Sequence, residues 1–342
     1  MLRFGLVGCG THARWAVLPA MAATKRCKLV AVADINPENL GAVKDPSIHR
    51  YTDYREMLAK EQLDAVYVAT LIEVHCEPTV AALEAGCHVI CEKPMAASVE
   101  QCRRMIAAAE AARKVLAIDF ESRYIAANQQ VRQWVAEGWI GTVRAVHIHE
   151  MWDGHKSFGP LSKRREGFLQ RSGCLDCGIH KLDLARFYSC GGEWRDVQAL
   201  GAWFGEKVKY PPHIAILARL SPGILVTVNA SLAYTAYIKE RHSTHGCIIV
   251  GDKGVITDDH DQAGRKVFRL VGESLSATCP LAEEGHGMVI PRLLEELDMV
   301  VSEGKPMSPS MATGYDGLMA QIAMDAANSE ALRRGDVAAM ES

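Results

Sequence analysis

As far as Glu121, short apolar runs of β type alternate with segments of helical spacing. The runs are Leu2–Val7, Cys27–Ala33, Ala65–Thr70, His88–Cys91 and Val115–Ile118, and the intervening helical segments include Tyr54–Lys60, Cys76–Ala85 and Val99–Ala112. A strand that must cross a helix before it meets the next strand pairs in parallel, so this alternation predicts βαβ units around a parallel sheet. Past Glu121 the rhythm changes. One helical segment, Ala126–Glu137, leads into β-type runs at Val143–Met151, Val197–Trp203, His213–Leu220, Ile224–Ala233 and Cys247–Val250. With one helix expected at Asp176–Tyr188 and most of these strands following one another directly, the second region predicts a mostly antiparallel sheet. Two further helices are expected near Met288–Glu303 and Asp316–Arg333. The fold class expected is α/β: a Rossmann domain over residues 1–121, then an α+β domain over 122–342 with an open, mostly antiparallel sheet.

Composition narrows the functional classes. A chain of 342 residues, 49% hydrophobic and 23% charged, has enough apolar mass for two packed domains. Its net charge of -3 gives no reason to expect nucleic acid or an anionic membrane as partner. Eleven cysteines, an odd number scattered through apolar runs, do not make a secreted disulfide framework. Reduced thiols and a cytoplasmic location are expected. The opening apolar stretch is too short for a signal segment or membrane span.

The first β-run ends in Gly8-Cys9-Gly10-Thr11-His12-Ala13, a G-x-G-x-x-A turn between strand and helix. Gly8 permits the tight turn, Gly10 lets backbone approach a pyrophosphate, and Ala13 keeps the helix close to its strand. The new helix presents unpaired N–H groups to the phosphates. About twenty residues on, the second β-run ends in Asp34, where the ribose hydroxyls of a dinucleotide lie. Asp34 repels a 2′-phosphate, and neither Ile35 nor Asn36 offsets it, so NAD is expected ahead of NADP.

Two segments carry further chemistry. Run His88–Cys91 leads into Glu92-Lys93-Pro94, and strand C-termini in such sheets face the ligand crevice, which aims Lys93 at the cofactor. Pro94 restrains the backbone of Lys93. On a helix starting at Asp176, steps of four and three residues put Asp176, His180 and Asp183 on one face, a plausible acid/base group. Cys174, Cys177 and His180 also have a zinc-like spacing, but no second ligand cluster lies nearby in sequence, and no metal is expected. The basic stretch from Lys156 to Arg171 is read as a solvated loop, with recognition of an acidic substrate group as the alternative.

Taken together, these segments resemble the glucose-fructose oxidoreductase and inositol dehydrogenase (Gfo/Idh/MocA) family of NAD(P)-dependent oxidoreductases. The resemblance rests on Gly8–Ala13, Ala82–Gly86 with His88–Pro94, the turn Glu137–Val143, the Asp-x-Gly-x-His-x-x-Asp pattern from Asp176 to Asp183, Gly251–Gly254, and the late helix at Asn328-Ser329. It implies a hydride transfer between NAD and a secondary alcohol of a sugar, inositol or related polyol. Lys93, Asp176 and His180 match the family's catalytic positions. Gly8, Gly10, Thr11, His12, Ala13, Asp34, Thr70, His75, Glu92 and Lys93 are the expected cofactor residues, His75 lying in a loop that borders the nicotinamide. The second domain is expected to bind substrate and to form homo-oligomers, dimeric or tetrameric, through its sheet. Rival readings are a glycoside hydrolase that recycles NAD, and a non-catalytic NAD-binding sensor. Two departures from the family stand out. The loop reads Thr70-Leu71-Ile72-Glu73-Val74-His75 where Thr-Pro-Asn is common, and Asp119-Phe120-Glu121 stands where Asn and Arg are frequent. Asp119 and Glu121 are expected as solvated linker residues; placed at the crevice instead, they suit a polyol or cationic substrate.

Overall fold

A computed structural model of the chain describes residues 1–151, 167, 169–172, 177–203, 206–232, 243–273, 275–282 and 284–334. Strands β1 (Leu2–Val7), β2 (Cys27–Ala33), β3 (His49–Tyr51), β4 (Ala65–Val68), β5 (His88–Glu92) and β6 (Leu116–Asp119) form one sheet in the order β3-β2-β1-β4-β5-β6. All its pairings are parallel. Every residue of β4 is buried, as expected of a central strand covered on both faces, and so is every residue of the edge strand β6, whose Ala117 makes a bridge to Thr313. Between them run α1 (Leu18–Ala23), α2 (Pro37–Gly41), α3 (Tyr54–Lys60), α4 (Cys76–Glu84) and α5 (Val99–Ala112). Side-chain caps start several of them: Asn36 accepts from Glu38 N, Asp53 from Arg55 N and Ser98 from Gln101 N.

The chain divides into two compact units, and they are not consecutive blocks. One comprises Met1–Ile125 with Glu283–Gln321, the other Ala126–Ala282 with Ile322–Ser342. Residues 283–321 thus join the parallel sheet rather than the second region, where a boundary near residue 121 would place them. This segment carries helix α8 (His286–Glu303; the helices over Ala126–Ala136, Cys177–Tyr188 and Gly314–Arg334 are α6, α7 and α9). Val289, Ile290, Leu293, Leu294 and Leu297 line one face of α8 and enter the same core as Leu6, Ala13, Val17 and Val32. Burying five such side chains contributes on the order of 10 kcal/mol before entropy is counted. Periodicity marks α8 as amphipathic but does not say which core receives it.

In the second unit, β7 (Val143–Met151), β8 (Trp194–Ala202), β9 (His213–Leu220), β10 (Ile224–Ser231), β11 (Thr244–Gly251), β12 (Gly254–His260), β13 (Lys266–Gly272) and β14 (Ser276–Pro280) make a sheet in the order β14-β13-β12-β11-β7-β10-β9-β8. Its pairings are antiparallel except β7 with β10. The mostly antiparallel expectation holds, and β12 to β14 extend the sheet beyond the runs legible in sequence. One face is apolar and buried through Ile148, Ile216, Val226, Val228 and Ile249, with α7 packed on β7 and β10. On α6 and α7 respectively, Asn128 Oδ1 accepts from the Tyr188 hydroxyl at 2.6 Å. The opposite face exposes Leu200, Leu217, Leu225 and Ile248. Among the described residues no helix is long and apolar enough to cross a membrane.

Candidate functional site

The glycine turn after β1 is built as its residue types require. Gly8 has φ +94°, and a Cβ there would meet the Ala69 carbonyl oxygen at 2.6 Å, so no other residue suits the position. Among the described residues no atom lies within 4 Å of where a Gly10 Cβ would be, which leaves its backbone open to an approaching phosphate. Ala13 is fully buried against the sheet. Asp34 does more than end a strand: its carboxylate accepts from the buried Cys9 amide at 2.7 Å, from Asn36 N at 2.8 Å and from Asn39 Nδ2 at 3.1 Å. It therefore holds the turn as well as facing the edge where a ribose would lie. Ile35 beside it is 91% exposed. Thr11 is exposed, and Thr70 is half-buried.

At the end of β4, His75 is buried, with Nδ1 3.0 Å from the Pro94 carbonyl and Nε2 3.1 Å from that of Thr70. Burial keeps its pKa below the ordinary value. His75 thus ties the loop after β4 to the one after β5, and the path of that loop, left open by its unusual sequence, is a short helical turn over Ile72–Val74.

At the C-terminal edge of β5, Glu92 is buried and Lys93 half-buried, and the Lys93–Pro94 peptide is cis. Glu92 Oε1 lies 2.8 Å from His12 Nε2 of the glycine turn and accepts from the Tyr67 hydroxyl of β4 at 2.9 Å. The same hydroxyl contacts Asp119 Oδ2 at the end of β6. Beyond it, Glu121 Oε1 is 3.3 Å from His286 Nδ1 at the start of α8, and the His286 ring packs edge-on against those of His12 and Trp15. Asp119 and Glu121 are 1% and 8% exposed, which overturns their expectation as solvated linker residues. The reason is tertiary: the strand end carrying them is covered by Tyr67 and by α8, whose origin lies far along the chain. Burial and the nearby Glu92 charge push the Asp119 carboxyl well above its ordinary value. Burial likewise lifts Glu121 to about 7, opposed by Lys93. On Glu92 burial pushes upward, but the His12 imidazole, Lys93 and Tyr67 outweigh it and hold that carboxyl below the usual range. Glu92 in turn lifts His12 despite burial.

Tyr67 and His286 are not among the residues the sequence singles out, and Asp119 and Glu121 enter its reading at the crevice only as the alternative to solvated linker residues. A signal existed for two of them: a lone tyrosine inside the apolar run Ala65–Val68, and a carboxylate ending β6 just as others end β2 and β5.

In the second unit, His180 sits half-buried on α7, and Asp183 of the same helix is buried. Lys181 Nζ pairs with Glu150 of β7 at 2.7 Å. Asp176, Cys174 and most of the stretch from Lys156 to Arg171 lie outside the described residues, as does the side chain of Cys177. Among the described residues no group of three or more His, Cys, Asp or Glu is placed to hold a metal ion.

Residues 2–120 match the model of an oxidoreductase family with an NAD-binding Rossmann fold, and residues 128–257 match the GFO/IDH/MocA C-terminal domain. A 1,5-anhydro-D-fructose reductase of Ensifer adhaerens is 35% identical over 191 residues, 55% of this chain and 56% of that protein, so this match spans about half of each. A levoglucosan dehydrogenase of Pseudarthrobacter phenanthrenivorans is 28% identical over 331 residues, 83% of both chains. The crystal structure of an Agrobacterium radiobacter oxidoreductase in complex with NAD+, L-tartaric acid and magnesium superposes with a TM-score of 0.79 at 23% identity, covering 96% of both chains, and shares the fold.

Proposed function

Because the chain belongs to the GFO/IDH/MocA oxidoreductase family, we propose that it is an NAD-dependent dehydrogenase that oxidises a secondary alcohol of a sugar, inositol or related polyol. The observation that carries this reading is one sheet edge. The glycine turn after β1, Asp34 after β2 and Lys93 after β5 all stand at the C-terminal edge of one parallel sheet, with β4 between β1 and β5, which puts a dinucleotide turn and a cation able to act on a bound oxygen along the same sheet edge. The residues present fit NAD: an open backbone at Gly10, a fixed carboxylate at Asp34 and no cation at Ile35 or Asn36 to favour a 2′-phosphate. Relatives named for levoglucosan and 1,5-anhydro-D-fructose support a cyclic polyol as substrate class.

Bound NAD supplies the hydride acceptor. Lys93 hydrogen-bonds the substrate oxygen and stabilises negative charge as it develops there. His180 takes the hydroxyl proton, and Asp176 orients either the imidazole or the substrate. His12, Glu92 and His75 hold the loops that carry Gly10 and Lys93. The second unit binds substrate, and its exposed apolar sheet face, with Leu200, Leu217, Leu225 and Ile248, packs on another copy of the chain. A cytoplasmic location suits the free thiols buried at Cys9, Cys27 and Cys91.

A screen of polyols, sugars and sugar acids, followed by NADH absorbance, tests the proposal. Net, stoichiometric NADH formation with one class is expected. Turnover of a glycoside without net NADH, or NAD binding with no turnover across the screen, would overturn it.

A further inference from the structure

The Tyr67 hydroxyl sets a proton-counting problem. It lies between Glu92 Oε1 and Asp119 Oδ2 within hydrogen-bond reach of both, in a fully buried position. A phenol has one hydrogen and can donate to one carboxylate only, and two ionised carboxylates facing its oxygen would leave a lone pair against a negative charge. One of the carboxyls must therefore supply a second hydrogen. Glu92 has the environment of an ionised group: Oε1 faces His12 Nε2 at 2.8 Å, and Lys93 follows it in the chain. Asp119 has the environment of a neutral one. Among the described residues its buried Oδ1 has no hydrogen-bond partner, a placement a charged carboxylate does not sustain.

We propose that Asp119 is carried as a neutral carboxylic acid and acts as a positioning residue: it donates to the Tyr67 hydroxyl, Tyr67 donates to Glu92, and the one ionised carboxylate of this chain is thereby held on His12. The order of hydrogens runs one way, from Asp119 through Tyr67 to Glu92, where it meets the donor from His12. The arrangement ties the side chains at the ends of β6, β4 and β5 to the glycine turn after β1, in addition to the backbone ladders that pair these strands. It also sets the charge around Lys93 with one fewer negative group than the residue types suggest. Burial and the Glu92 and Glu121 charges act on Asp119 in the same direction. The other charged or titratable groups that act on Asp119, Tyr67 and Glu92 include Lys93, Glu121, His286, His75, Tyr124 and Cys91.

Two measurements on the purified full chain test this, and neither needs a substrate, so they stand apart from the fate of the dehydrogenase reading. In infrared difference spectra at neutral pH, wild type minus Asp119→Asn should show the carbonyl band of a neutral carboxylic acid that shifts in D2O. Tyr67→Phe should move that band, since the acid loses its acceptor. By NMR, the His12 titration midpoint should stay in place in Asp119→Asn, because a neutral amide replaces a neutral acid. Absence of the band, or its loss in Glu92→Gln instead, would overturn the proposal. So would a His12 midpoint lowered by roughly half a unit or more in Asp119→Asn, the sign of a removed negative charge.

Discussion

Asp34 holds the glycine turn and is proposed to bind the ribose, and substitution can separate the two roles. Its carboxylate accepts three hydrogen bonds, and the partners differ in what they can do without it. The exposed Asn36 amide and the half-buried Asn39 side chain can turn to water. Cys9 is fully buried, so its amide has no such alternative. Replacing Asp34 by Ser shortens the side chain and strands that amide, at a cost of about 1–3 kcal/mol. In a unit of this size that lowers Tm by roughly 2–4 °C per kcal/mol. Loss of charged contacts to the ribose hydroxyls removes a further 1.5–3 kcal/mol or so from binding, about ten- to a hundredfold in the Kd for NAD. Asp34→Asn keeps an acceptor for Cys9 but not the charge, and so should hold most of the Tm while NAD affinity falls. Adding Ile35→Arg to Asp34→Ser should shift preference toward NADP without restoring Tm. Differential scanning fluorimetry and NAD titration read the two effects independently. An unchanged Tm in Asp34→Ser refutes the anchoring role, and unchanged NAD affinity in Asp34→Asn refutes the ribose role. A wild-type preference for NADP of roughly tenfold, about 1.4 kcal/mol, would refute the reading of Asp34 altogether.

Lys93→Met should bind NAD normally yet lose about two decades or more of turnover, as expected for a group acting mainly in the transition state; near-normal turnover would remove Lys93 from the chemistry. His180→Asn should lower kcat with little change in NAD affinity and flatten the alkaline rise of the oxidation rate; an unaltered pH profile would leave His180 structural. Glu121 has a folded-state pKa raised by burial from 4.5 to about 7, so its contribution to stability is present below 4.5 and lost as pH rises through 7. Glu121→Gln should therefore gain stability relative to wild type between about pH 5 and 8 by denaturant unfolding, and a constant difference across that range would sink the assignment. Gly8→Ala, forced to adopt φ +94° with its Cβ 2.6 Å from the Ala69 oxygen, should destabilise the chain by about 2 kcal/mol or more and weaken NAD binding; a silent substitution would mean the turn is less constrained than drawn.

What the chain alone determined is everything that depends on near neighbours. The alternation of β runs and helices dictates a parallel sheet, since each crossover is local. Gly8, Gly10 and Ala13 announce a phosphate turn because backbone freedom is a property of the residue itself. Asp34 and Lys93 fall at strand C-termini, and a parallel sheet puts all of those on one edge. Distance along the chain is where such reading stops. The apolar stripe of α8 is as visible as any other, yet nothing in Val289 to Leu297 names the core of Leu6 and Val32 as its destination. Asp119 and Glu121 read as solvated because their sequence neighbours do not cover them; Tyr67, 52 residues before Asp119, and His286 from α8 do. A carboxyl's ionisation depends on the donors and charges around it in space, so only the tertiary structure could set Glu92, Asp119 and Glu121 apart.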